Sequence, residues 1–143
     1  MQQSLKWGAA LAALILVSSL ASSTAAQEAG KLKVVVDYKG QGTVDASHEL
    51  YLWVFDTPNI TGDSVPIASD VLTANGSSAN FSGLPKEVYL AAAFDEKGDY
   101  DGSSTPPPGT PIVIYGDAGM ARPVATGDGS SVNVVFDDTM RMP

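Results

Sequence analysis

Cysteine is missing from all 143 residues. Its absence removes disulfides, thiolate zinc sites, cysteine nucleophiles and a lipid-modified cysteine. Histidine occurs once, at His48. A single imidazole excludes multi-histidine metal centres and weakens any Ser-His-Asp arrangement. Basic residues are also few, with 8 Lys and Arg against 16 Asp and Glu for a formal net charge of −8. No basic patch is available to neutralise phosphates, which argues against nucleic acid as a partner. No apolar run reaches the roughly 20 residues needed to cross hydrocarbon. The length suits one domain.

The one long apolar run lies near the start. Lys6 precedes Ala9-Ala10-Leu11-Ala12-Ala13-Leu14-Ile15-Leu16-Val17, Ser18 and Ser19 break it, and small residues lead to Thr24-Ala25-Ala26. A positive start, a short apolar stretch and small residues at the cut are the order of a secretory signal peptide. The expectation is a signal at residues 1–26, cleaved after Ala26. Residues 27–143 are then an exported domain, periplasmic or extracellular, without a membrane span. The domain is more acidic than the whole chain, because Lys6 leaves and no acid does. Small exported domains usually lean on disulfides; this one must rely on its core.

The rest of the chain carries period-two patterns. Leu32, Val34, Val36 and Tyr38 share one face of a strand over residues 31–38, with Lys31, Lys33 and Asp37 on the other. Leu50-Tyr51-Leu52-Trp53-Val54-Phe55 is apolar on both faces and reads as a central strand. Residues 88–94, 112–115 and 131–136 follow, with weaker candidates at 64–68, 78–81 and 122–125. Residues 70–74 could form one helical turn at most. Gly, Pro, Asn and Asp fill the gaps, as turns require. The expected fold class is all-β, an antiparallel two-sheet β-sandwich of seven to eight strands, prealbumin-like or Ig-like.

One segment resembles a known family. Phe81-Ser82-Gly83-Leu84-Pro85-Lys86-Glu87-Val88-Tyr89-Leu90-Ala91-Ala92-Ala93-Phe94-Asp95 is similar to the F-x-x-L-P-x-G-x-Y-x-h-x-A-h-x-D stretch of prealbumin-like (transthyretin-like, carboxypeptidase-regulatory-like) β-sandwich domains of exported bacterial proteins. The Pro106-Pro107-Pro108-Gly109-Thr110-Pro111 and Tyr115-Gly116 that follow resemble that family's G-x-P…Y-G. The likeness covers residues 81–116, and Glu87 stands where the family commonly has glycine. It implies the sandwich fold. It does not bring the activity of the family's 5-hydroxyisourate hydrolases, which use several histidines where this chain has one.

Two constellations stand out. Asp95-Glu96-Lys97-Gly98-Asp99-Tyr100-Asp101-Gly102 concentrates carboxylates and glycines in a short loop. Calcium takes six to eight oxygens, so Asp95, Asp99 and Asp101 are candidate metal ligands. The alternative is an acidic loop whose Asp and Gly serve turn geometry, and the spacing is not that of an EF-hand. Tyr51, Trp53 and Phe55 form an aromatic stripe, either packed into a sandwich core or free to stack on sugar rings. His48, Asp95 and Glu96 are the residues a hydrolase would use, yet no nucleophile–base pair is visible. Asn59-Ile60-Thr61, Asn75-Gly76-Ser77 and Asn80-Phe81-Ser82 fit the N-glycosylation pattern. The expectation is a non-enzymatic accessory or interaction module with no catalytic residues, calcium as the one candidate cofactor, and an unknown protein or glycan as partner. The alternative is a carbohydrate-binding module using the aromatic face.

Overall fold

Side chains alternate across a strand, so the order of residues decides which face is buried. Described for residues 30–143, the computed structural model contains ten strands and no helix. They are β1 (Gly30–Tyr38), β2 (Leu50–Phe55), β3 (Ala68–Leu72), β4 (Ser78–Leu84), β5 (Glu87–Phe94), β6 (Ile112–Ile114), β7 (Gly116–Asp117), β8 (Met120–Ala121), β9 (Val124–Ala125) and β10 (Ser131–Phe136). The leader reading at residues 1–26 lies outside the described residues.

One sheet runs β10-β1-β4 and a larger one β3-β2-β5-β6, with β9 also paired to β5. The sheets are mostly antiparallel and stay open, without closing into a barrel. Leu32, Val34, Val36 and Tyr38 of β1 join Val134 and Phe136 of β10 in a single buried cluster. Leu50, Leu52 and Val54 of β2 and Val88, Leu90, Ala92 and Phe94 of β5 belong to the same cluster. At one end of it the Tyr38 ring lies 4.3 Å from Phe94 and 5.1 Å from Phe136. Burial there pushes the Tyr38 phenol up to about 12, with Asp138 adding to the shift.

The structure departs from the sequence reading at three points. The β1–β10 pair is parallel, with Val34 opposite Val132 and Val36 opposite Val134. Parallel strands need a long crossover, and all the chain between β1 and β10 supplies it. The third strand occupies residues 68–72, not 64–68, and includes positions read as a helical turn. Pairing with β2 fixes it, because Leu72 lies opposite Leu50 and Ala68 opposite Val54. Finally, β7 and β8 form a small hairpin of their own. It turns at Ala118 and Gly119, both at positive φ.

The β4–β5 connection, where Glu87 replaces the resembled family's glycine, is tight, with β4 ending at Leu84 and β5 starting at Glu87. Asn75 ties the preceding turn to β1. Its side-chain oxygen accepts from the Tyr38 N–H at 2.7 Å, and its amide donates to the Tyr38 carbonyl at 2.8 Å.

Candidate functional site

With Leu50, Leu52 and Val54 turned inward, period two forces Tyr51, Trp53 and Phe55 onto the opposite face of the larger sheet. The aromatic stripe therefore lies outside the core cluster. The same rule places Tyr89, Ala91 and Ala93 of β5 on that face, since Val88, Leu90, Ala92 and Phe94 are in the core. On β6, Val113 packs against the core, so Ile112 and Ile114 face outward.

Register then shapes the surface. Trp53 pairs with Ala91, and Ala91 with Ile114; Tyr51 pairs with Ala93, and Ala93 with Ile112. Each row sets a methyl group between two large side chains. Opposed side chains on a sheet stand about 5 Å apart, so the alanines leave a hollow along β5. Trp53 remains half-buried, while Tyr51 and Phe55 are covered.

Two loops raise walls on this floor. The first wall begins at the acidic loop. The Asp95 carboxylate is 5% exposed and accepts from the N–H groups of Gly98 (2.9 Å), Asp99 (3.2 Å) and Tyr100 (3.3 Å). This curls the chain so that the Tyr100 ring meets Tyr51 edge-on at 4.9 Å and Trp53 at 6.5 Å. The Tyr51 hydroxyl donates to the Tyr100 carbonyl at 2.7 Å, with a Glu49 carboxylate oxygen at 3.2 Å. Burial, then the Glu49 contact, pushes the Tyr51 phenol up to about 12.

Asp101 makes the next turn, accepting from the Ser103 N–H at 3.0 Å and its hydroxyl at 2.7 Å. The Ser103 bonds hold the Asp101 carboxyl below its ordinary range. Gly102 passes against the Tyr51 ring at φ +80°, where a Cβ would meet ring carbon at 2.7 Å. The second wall is the loop after β2, residues 57–66. The walls are joined where the Thr105 hydroxyl donates to the Gly62 carbonyl at 2.6 Å.

Between them lies a trough of about 740 Å³ floored by Trp53, Ala91 and Ile114 and bounded by Val65, Pro106 and Met142. Lining it there is no Asp, Glu, Lys, Arg or His. Several hydroxyls along it serve the walls themselves: Ser103 bonds Asp101, Thr105 bonds Gly62, and Ser64 bonds Asn59 and Thr61. The chain after β10 adds Met142 and Pro143 to the lining. Met142 exchanges backbone hydrogen bonds with Gly109 and Thr110. Arg141 holds Glu96 through contacts of 3.0 and 3.2 Å and the Gly109 carbonyl at 2.8 Å.

The residues singled out in the sequence are thus placed as follows. Asp95 and Asp101 direct their carboxylates at donors of their own loop, and Asp99 is exposed. Among the described residues no group of three His, Cys, Asp or Glu side chains is placed to hold a metal ion. The acidic loop leaves room for about one water against residues 107–110. His48 sits 3.0 Å from Asp45, whose carboxyl that bond lowers. Glu96 faces Arg141. His48, Asp95 and Glu96 therefore have separate partners. Of the sequon asparagines, Asn75 is engaged by Tyr38, whereas Asn59 and Asn80 are exposed.

Sequence reasoning did not find Ala91, Ile112, Ile114, Val65 or Tyr100 as site residues. The signal for the floor was present in the small outward residues of β5. Compared with family models, curated proteins and solved structures, the chain gives no match.

Proposed function

We propose that the chain is an exported, non-enzymatic binding module of the prealbumin-like two-layer kind, holding its ligand or partner in the outer trough of the larger sheet. The observation that carries this reading is the row Trp53–Ala91–Ile114, a concave apolar floor between stitched walls in an otherwise acidic chain. Concave, mostly apolar sites of several hundred Å³ are where proteins bind ligands. Supporting a binding role over catalysis, His48, Asp95 and Glu96 each answer to a different neighbour. Supporting export, residues 1–26 have the order of a signal peptide. Among the described residues no helix is long and apolar enough to cross a membrane.

A panel of uncharged compounds tests the reading, with tryptophan emission as the signal and Trp53→Phe isolating the contribution of Trp53. The panel holds a neutral naphthylamine, a soluble cello-oligosaccharide and an apolar peptide. At least one should change the Trp53 emission saturably, and Ala91→Leu, which fills the hollow, should abolish that change while the far-ultraviolet dichroism stays β-type. No response from any class would overturn the proposal.

A further inference from the structure

Resting on the trough reading, we infer that its occupant is a small, predominantly apolar molecule without negative charge rather than a sugar or an anion. Three observations converge on this class. The first is charge. The lining carries no ionisable side chain, whereas the chain as a whole has a net charge of −8. An anion entering the trough would lose its water, find no cation, and face the field of the surrounding carboxylates. Burying a charge unpaired is among the costliest moves in protein chemistry.

The second is hydrogen-bonding capacity. A sugar needs several polar groups aimed at its hydroxyls. The Ser103 and Thr105 hydroxyls are donated within and between the walls, and that of Ser64 goes to Asn59. Those three hydroxyls keep only acceptor lone pairs for a ligand, so the oxygens of a sugar find few donors in the lining beyond Ser104, Thr61 and the Trp53 indole. Ile112, Ile114, Val65 and Met142 offer only area, Trp53 adds a ring face with a single indole N–H, and Met adds adaptability.

The third is size. The walls are joined by the Thr105–Gly62 bond, and Met142 of the tail adds to the lining. A half-open hollow of about 740 Å³ suits a discrete molecule.

The test is a titration of the full chain with N-phenylnaphthylamine, a neutral apolar fluorophore, followed by displacement with octanol, octanoate or cellohexaose at neutral pH. The expected result is saturable enhancement with one site per chain. Octanol should displace the probe, octanoate should need at least tenfold more, and cellohexaose should do nothing. Val65 is 81% exposed, so Val65→Asp should fold normally. It should weaken probe binding about tenfold or more by bringing a charge to the rim. Equal displacement by octanol and octanoate, or Val65→Asp binding as tightly as the parent, would overturn the inference. Binding of cellohexaose at Trp53 without the probe would also overturn it, and would leave the trough itself as the binding surface. Silence from every compound would remove both readings.

Discussion

At the scale of single residues, Asp95 governs more than its exposure suggests. A nearly buried carboxylate accepting from three backbone N–H groups organises a loop as a helix cap organises a first turn. Hydrogen bonds to a charged acceptor contribute roughly 1.5–3 kcal/mol each, and losing one partner leaves the rest unsatisfied. Asp95→Ala, which removes all three bonds, should therefore lower unfolding free energy by more than the ~1.5–3 kcal/mol of a single one in denaturant melts and alter Trp53 emission through the loss of Tyr100. A melting temperature that calcium raises and Asp99→Ala returns to baseline would mark Asp95, Asp99 and Asp101 as an ion site, because a ligand bound only by the folded state must stabilise it.

At the scale of elements, the wall loop depends on backbone shape at Gly102. Its φ of +80° and the Tyr51 ring at 2.7 Å from a would-be Cβ both oppose substitution. Gly109 has φ +87° with open space around it. Gly102→Ala should cost more than the ~1–2 kcal/mol of left-handed strain alone and shift Trp53 emission, while Gly109→Ala should cost only the strain and leave Trp53 unchanged. Thermal melts paired with emission spectra separate the two.

Strands such as β1, β2, β5 and β10 were legible because alternation, or an apolar run, is a local property of the sequence. Position and partner were not local. The five-residue β3 is held by Leu50 and Val54 across the sheet, and its own Ser69 and Asp70 advertise a turn. The direction of β10 was hidden because Val132, Val134 and Phe136 alternate identically in parallel and antiparallel sheets. Two-residue strands at β7 and β8 carry no period at all. The site was half legible. The stripe Tyr51, Trp53 and Phe55 was visible, but β2 is apolar on both faces. Only the pairing of Trp53 with Ala91 and Ile114 shows which face holds the hollow.

For the whole molecule, the two faces of the larger sheet divide the work. One face joins β1, β4 and β10 in a buried apolar core that stands without disulfides. The other carries aromatic and aliphatic side chains under two loops and keeps an opening of ligand size. The chain carries a net charge of −8, and the trough, whose lining has no ionisable side chain, is the exception to it. Chemical-shift mapping by NMR during a titration with N-phenylnaphthylamine tests this division most directly. The account predicts that Trp53, Ala91, Ile114 and Val65 move most while Val34, Val36 and Val134 stay still. Largest shifts on β1, β4 and β10, or shifts spread evenly over the chain, would contradict it.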